Sequence, residues 1–576
     1  MSLSYGKETY YKSVLALIGL SLVAGFFVFF PITNTDIWWH LAAAREMFVR
    51  KSILYTDTFA YTLRNPQWIN LHTLFQICSY GIYKAFGAGG LIVIKCMVVA
   101  CICLIISLIV PDTRYMVITS ALFTLLIFEV RYLILVRPII ITILCIATFL
   151  WAYEHHIRTG RKRFIWLLLP VQIMWTNSQG LFPLGIAISG CYLLGEIMQR
   201  ILYLARVHPK EQVTIVKAVP ADLTINFSLI ISSCLLNPYG IYGFLFPIKL
   251  LQRIDPTLKN IYSSNISENL PLFELTGKDM HYLYAVLLVT AVVLCTFWIN
   301  KRAFRWTHLL LFGIFLTLAV VAKRNILLYC IVAPVIIGYN CLYGYQKSNG
   351  KLHYWFRIPR ISYFIKEIFI GFSTVILFIF IIIQGINISR FPKTTLFSPF
   401  RTPTGVVAYL KLHPVEGKLF NSIRHGGYLI WHFYPRKQVF VDGRLIIRSP
   451  KFFSSYLSFL DNPEEFYAAI KAYHITHVIL PTALFERYLK LVKWLYHSPE
   501  WEVVFADGGS ILYVKKEVLP DTCDPIDLSN SDDVEAVRKI IHDQWKDEPY
   551  IQAEALGYLN ELIGYLYDLG DKAVIR

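Results

Sequence analysis

The stretch TNTDIWWHLAAAREM, residues 33–47, sets one carboxylate, Asp36, beside two indoles and an imidazole, His40, directly after a long apolar run. A carboxylate at the edge of such a run is costly unless it is solvated, paired or used. Used, it is a candidate base that takes a proton from, or orients, a hydroxyl or amide, with His40 as a neighbouring substrate contact. Trp38 and Trp39 also suit a plain interfacial anchor, because an indole ring is at home where hydrocarbon meets headgroups. Farther along the same loop, YTDTFAYT (55–62) and NPQWINLHTLFQ (65–76) contribute Asp57, Trp68, Asn70 and His72. Asp57 and His72 read equally well as loop packing and as substrate contacts.

A second set is cationic. EVRYLILVRP (129–138) and VAKRNILLYC (321–330) place Glu129, Arg131, Arg137, Lys323 and Arg324 at the ends of apolar runs. Arginine at that depth either snorkels to lipid phosphate or grips a phosphate substrate through its planar fork. Arg324 with Arg137 or Lys323 suits the second role, whereas Glu129 and Arg131 read as a structural ion pair. WTNSQG (175–180) offers Asn177 and Gln179 to a sugar hydroxyl, while Asn237 in LLNPYG (235–240) reads as a turn residue. In the polar tail, NSIRHGGYLIW (421–431) and VFVDGR (439–444) stand out. A strand ending in Asp442-Gly443-Arg444 puts charge at a sheet edge, where α/β folds bind ligands, and the Gly-Gly pair permits close backbone approach. An ordinary turn with a surface ion pair explains the same residues.

Several chemistries have no support. No Walker loop, GxSxG, HExxH or GxGxxG is present. Of 11 cysteines, ten lie in or beside apolar runs and only Cys523 is in the tail, without metal or redox spacing. No second acid completes a DxD with Asp36, so a divalent metal is left open but unsupported as a cofactor.

The elements that carry these residues belong to a membrane. Mean hydropathy is +0.51, and charged residues make up only 16%, against about a quarter in soluble domains. Apolar spans are expected at roughly 12–31, 89–110, 115–135, 138–153, 164–178, 181–203, 223–246, 281–299, 307–322, 325–344 and 363–388, about eleven in all. The first follows Lys7 and Lys12 and has no cleavage signature, which reads as an uncleaved signal anchor. With the N-terminus cytoplasmic, the loops 154–163, 204–217, 300–305 and 345–361 fall inside and are rich in Lys and Arg, as the positive-inside rule requires. Segments 33–88, 247–280 and everything after about 390 then lie outside. Of 55 Lys+Arg and 38 Asp+Glu, residues 400–576 hold 20 and 23. The basic excess therefore belongs to the membrane part, where it sets topology and meets anionic lipid, and no basic soluble patch invites nucleic acid.

After Asp36, the residues IWWHLAAAREMFVRKSIL predict an amphipathic helix lying along the membrane surface. The tail alternates strands (KLFNSI, KQVFVDG, HVILP, WEVVFAD, SILYVKK) with helices (403–413, 462–474, 482–498), implying an α/β layer with a largely parallel sheet. Two amphipathic helices are expected within 530–576. The organisation predicted is a transmembrane domain over 1–390, an exocytoplasmic α/β domain over 391–529 and a helical segment over 530–576.

Taken in order, DIWWHLAAAREM, YTDTFAYT, PQWIN, VRPI, WTNSQG, LLNPYG, AKRNILLY, GGYLIW and VFVDGR resemble the type C glycosyltransferase superfamily, and within it bacterial proteins that begin with Asp-x-Trp-Trp-His-Leu. The resemblance runs from residue 36 to 444. It implies a polytopic α-helical membrane enzyme of the bacterial plasma membrane, with a soluble C-terminal domain outside. The implied reaction is inverting transfer of a sugar from a polyprenyl-phosphate donor to a protein, lipid or polysaccharide acceptor. Asp36 falls at the position of the family's catalytic acid. Two departures stand out: Leu71-His72-Thr73 where His-Glu-Trp is expected, and Asn177-Ser178-Gln179-Gly180 where Asn-x-His-Gly is expected. A lipid-linked glycan transporter, with Lys95 as its notable mid-span charge, and a non-catalytic envelope scaffold are the competing readings.

Overall fold

A computed structural model describes residues 2–63, 66–204, 220–254, 261–347, 359–392, 396–484 and 486–567. The basic loop expected at 204–217 falls outside the described residues from 205 on, as do residues 348–358 of the loop expected at 345–361 and the last residues of the 530–576 segment. In chain order the membrane part contains α1 (Ser2–Phe27), α2 (Asp36–Arg50), α3 (Thr73–Ser107), α4 (Thr113–Val130), α5 (Ile139–Thr159), α6 (Leu168–Thr176), α7 (Pro183–Leu204), α8 (Pro220–Ser233), α9 (Ile241–Ile254), α10 (Met280–Ile299), α11 (Trp306–Val321), α12 (Ile326–Lys347) and α13 (Pro359–Ser389). The tail adds α14 (Thr404–Leu412), β1 (Lys418–Asn421), α15 (Ile423–Phe433), α16 (Pro450–Asp461), α17 (Pro463–Tyr473), β2 (Ile475–Pro481), α18 (Glu486–His497), β3 (Trp501–Ala506), β4 (Ser510–Lys515), α19 (Ser531–Gln544) and α20 (Pro549–Leu566). Two compact units form, each from separated stretches: Met1–Phe29, Leu71–Phe75 and Leu91–Ile388 make one, and Phe30–Asn70, Gln76–Gly90 and Ser389–Arg576 the other.

The first unit is a helical bundle. Among the described residues six helices are long and apolar enough to cross a membrane, and five shorter apolar helices accompany them, so the expected eleven spans are not reached by length and composition. The sequence MHYLYAVLLVTAVVLCTFWI of α10 shows why such helices form there: 20 residues without an Asp, Glu, Lys or Arg cover about 30 Å. Helix α12 packs against α4, α10, α11 and α5, and Gly25 of α1 lies against the Cys96 carbonyl of α3, where a Cβ would come within 2.8 Å. The single span expected over 223–246 is two helices. Asn237 breaks it by donating to the Cys234 and Gly240 carbonyls (2.9 and 3.0 Å) while accepting from the Tyr239 N–H (2.8 Å).

One end of this bundle holds a buried ion network. The Arg305 guanidinium spans Glu154 (2.6 Å) and Glu196 (2.9 Å), and Glu154 also meets His308 (3.1 Å) and the Tyr192 hydroxyl (2.9 Å). These groups tie α5, α7 and α11 together.

The second unit is built on a four-stranded sheet of order β1-β2-β4-β3. Only β1 and β2 run parallel, and both other pairings are antiparallel. The largely parallel sheet expected from alternation is thereby corrected: Asp507-Gly508-Gly509 turns β3 straight back into β4, with Gly508 at φ +76° and the Asp507 carboxylate accepting the Gly509 and Ser510 N–H groups. The expected strand at KQVFVDG does not join the sheet. It is an extended strip that pairs with the first loop, through Val439 N–H to Phe59 O (3.0 Å) and Tyr61 N–H to Val439 O (3.2 Å). The three tail helices predicted earlier correspond to α14, α17 and α18, and the final pair to α19 and α20. Ser449 and Asn462, each followed by Pro, cap α16 and α17 in the preferred manner.

Helix α2 forms where expected but does not lie along a surface. Residues 37–44 are all buried, and α15 packs on them. Trp38 is enclosed by Phe397 and Tyr428 (ring centroids 4.6 and 4.8 Å), not at an interface. Ala42-Ala43-Ala44 keeps the helix slim, and Arg45 donates to the Trp431 and Tyr434 carbonyls of α15 and its end (2.8 and 3.3 Å).

Candidate functional site

The sequence candidates fall into three groups. The first is built on the second unit and contains Asp36, His40, Asp57, Asp442 and Arg444. Asp36 opens α2, its backbone N–H held by the Asn34 side chain at 3.0 Å. Four residues on, His40 is buried and meets Gln76 Nε2 at 3.3 Å, and Gln76 exchanges two hydrogen bonds with Asn70 (2.7 and 3.1 Å). Below Asp36, the Arg444 guanidinium pairs with Asp57 (2.7 Å) and forks onto both oxygens of Asp442 (2.8 and 2.7 Å). Its cation stacks near Trp68 (4.7 Å), Phe59 (5.0 Å) and Trp39 (5.9 Å).

Asp57, Asp442 and Arg444 are each at most 3% exposed. Asp57 was read as loop packing or a substrate contact, and Asp442 with Arg444 as a ligand site or a surface ion pair; in the fold the three side chains satisfy one another, as a buried cluster. Burial by itself would raise the Asp442 carboxyl, but the Arg444 guanidinium, then Arg448, outweighs it and holds the group below the usual carboxylate range. Of the three acids, Asp36 alone keeps a partly exposed side chain. The glycines explain how three segments meet here. A Cβ on Gly427 would lie 2.8 Å from the Thr35 carbonyl, one on Gly426 would strike the Val441 carbonyl, and one on Gly443 would strike the Asp36 carboxylate.

The second group gathers at one end of the first unit. Arg137 grips both oxygens of Glu268 (2.8 and 2.7 Å), and Lys323 pairs with Asp279 (2.6 Å). Arg324 is partly exposed and makes no hydrogen bond or direct ion pair among the described residues; Glu268 and Arg137 are the charges acting on it. The expected Glu129–Arg131 pair does not form. Glu129 faces His281 (3.7 Å), while Arg131 turns back over the Phe128 ring (3.8 Å), because its own helix end supplies the nearer aromatic face. Glu268 and Asp279 were not singled out in the sequence; their only signal was acidity in the 247–280 loop.

The third group, also in the first unit, joins the two departures from the expected motifs. His72 Nε2 lies 3.1 Å from Gln179 Oε1, which also accepts the Gly180 N–H at 2.8 Å. A backbone N–H can only donate, so that atom is the amide oxygen and His72 donates from Nε2. Burial holds the His72 imidazole down at about 4, against the opposing pull of the Gln179 bond, so the ring is neutral at physiological pH. Asn177 donates to the Ile173 and Leu236 carbonyls (both 2.8 Å), and its own carbonyl accepts the Leu74 N–H at 3.0 Å. Both amides of this group are thus engaged in fixing the turn between α6 and α7.

No three His, Cys, Asp or Glu side chains converge among the described residues. Asp57 and Asp442 already share Arg444, so this donor set does not suit a divalent cation.

No protein-family model and no curated protein sequence matches the chain. Solved structures do. The apo oligosaccharyltransferase of Archaeoglobus fulgidus superposes with a TM-score of 0.54 at 12% identity, over 90% of this chain and 76% of that one. The chain has the type C glycosyltransferase fold. The same archaeal enzyme tethered to an acceptor peptide with an NVT sequon gives a TM-score of 0.54 at 13% identity, covering 90% and 75% of the two chains. Its complex with an inhibitory peptide and a dolichol-phosphate gives 0.52 at 13%, covering 90% and 76%. At such identity the type C likeness is one of fold.

Proposed function

We propose that the protein is a membrane glycosyltransferase that moves a sugar from a polyprenyl-phosphate-linked donor to an exocytoplasmic acceptor, whether protein, lipid or polysaccharide, with Asp36 as the catalytic carboxylate. The observation that carries this reading is the Asp36 seat: in a type C fold, one partly exposed carboxylate stands at the start of α2 over a buried, self-satisfied ion cluster. The neighbouring oligosaccharyltransferase is solved with a dolichol-phosphate, and a lipid phosphate is the donor class for which Arg324 is suited.

In this scheme the donor's phosphate is the leaving group. Arg324 offsets the charge that develops on it, with Arg137 or Lys323 joining once released from Glu268 or Asp279. Asp36 accepts the proton from the acceptor hydroxyl or amide, or orients it for attack on the anomeric carbon. His40, Asn177 and Gln179 flank this chemistry as candidate sugar contacts, each also hydrogen-bonded within its own unit. Bond energy comes from the lipid phosphate ester, so no nucleotide site is required.

The test is transfer of label from polyprenyl-phosphate sugars to the cell's own acceptors, in membranes carrying either the native protein or Asp36→Asn. The expected loss is at least 100-fold, the scale of a missing general base, with insertion unchanged. Equal incorporation in both would sink the assignment of Asp36. Crosslinking of the lipid carrier along the bilayer midplane without any transfer would favour transport instead.

A further inference from the structure

Gly443 lacks a side chain for reasons of space. Its backbone is not in the left-handed region that favours glycine. What a Cβ would meet first is Asp36 Oδ1, then Asp36 Cγ at 3.3 Å and Trp39 Nε1 at 3.6 Å. The strip around it is held from several sides. Asn421 donates to Val441 O (2.7 Å) and accepts the Phe440 N–H (2.9 Å), Arg448 donates to Phe440 O (3.1 Å), and Arg444 is clamped between Asp442 and Asp57. The Cα of Gly443 is therefore a fixed surface, and the Asp36 carboxylate resting on it is the movable end of a short side chain.

We infer that Gly443 is a positioning residue for Asp36: its bare Cα forms the seat that holds the carboxylate in one orientation, and the Asp57–Arg444–Asp442 cluster exists to keep that seat still. This rests on the reading of Asp36 as the catalytic carboxylate. It assigns the tail a part in the chemistry, because a strip from residues 439–444 sets the geometry of a group near the N-terminus. Added bulk at 443 is accommodated by swinging the carboxylate aside, so the fold survives while the geometry is lost.

The experiment compares the purified full-length native protein with Gly443→Ala in detergent micelles. Carbodiimide-driven coupling of glycine ethyl ester to Asp36 is followed by peptide mass spectrometry, beside the thermal melting curve and the transfer assay. The expected result is a several-fold change in the labelling rate at Asp36, with exposed Asp461 and Glu535 labelled as before, buried Asp57 and Asp442 still protected, and melting unchanged. Transfer falls at least tenfold in kcat at constant donor KM, and Asp36→Asn combined with Gly443→Ala is no slower than Asp36→Asn alone. Native labelling at Asp36 in Gly443→Ala would overturn the inference, and so would a parallel rise at Asp57 and Asp442, which signals general loosening. If Asp36→Asn transfers normally, the catalytic reading itself fails; if it does not and Gly443→Ala behaves as native, only the positioning role falls.

Discussion

Arg444 answers to two carboxylates at once. Its replacement by Leu would leave Asp57 and Asp442 buried side by side without a cation, and breaking a buried pair in this way costs about 3–5 kcal/mol. Melting of the purified variant should drop accordingly, and a native melting curve would refute the cluster's structural role. The cluster also sets an acid limit. Asp442 is held below the usual carboxylate range, so the stability it supplies is complete above about pH 4, the ordinary value for a carboxylate. It drains away as the pH falls through the lower native value. Asp442→Asn should flatten that part of the stability–pH curve. At this scale the sequence was partly legible. Asp36 and Asp57 could be picked out as polar groups among aromatics, and Asp442 and Arg444 as charges at the end of a strand-like run. That one arginine serves both buried acids could not, because Asp57 and Arg444 are far apart in the chain and nothing local marks the pair. His72 and Gln179 show the same limit: each looked like an isolated departure until the fold brought them within hydrogen-bond distance.

The crossing of α15 over α2 is set by the absence of side chains. A Cβ on Gly427 meets the Thr35 carbonyl at 2.8 Å and the Trp39 N–H nitrogen at 3.4 Å, both backbone atoms at the start of α2. Gly427→Ala therefore moves a helix, not a side chain, and overpacking of this kind costs about 1–3 kcal/mol. Its melting should fall and Asp36 should shift with the helix, so transfer is lost together with stability, unlike Gly443→Ala. Unchanged melting for Gly427→Ala would mean that the two helices do not touch there. Most elements could be read from caps and periodicity, including α2, α14, α17 and four of the five strands. The Gly-Gly pair was legible as a close approach but not as the middle of a helix, since glycine is a poor helix former on propensity alone. The direction of β4 depends on a three-residue turn that alternation of strands and helices does not reveal. KQVFVDG has the composition of a strand, and it does pair, but with the first loop.

At the scale of the whole chain, the membrane character and the order of the short motifs were plain from composition and pattern. The partition into units was not. Residues 30–70 and 76–90 belong with 389–576, although by sequence they are loop and helix of the membrane part. A chain ending at Ile388 would keep the helices of the first unit and strip the first loop of α15 and of the 439–444 strip. Trypsin should then cut after Arg45, whose guanidinium is held by the Trp431 and Tyr434 carbonyls in the intact protein, at least tenfold faster. Equal resistance in both chains would show that the loop folds without the tail. The interleaving also bears on how the protein is made. Between the ribosome's completion of residue 90 and its arrival at residue 389 lie about 300 residues, or roughly 15–60 s of synthesis at usual rates. Throughout that interval the nascent loop bearing Asp36 has none of its partners from the tail, α15 and the 439–444 strip, so biogenesis passes through an inserted, half-finished intermediate that needs shelter from proteases until the tail emerges to close over it.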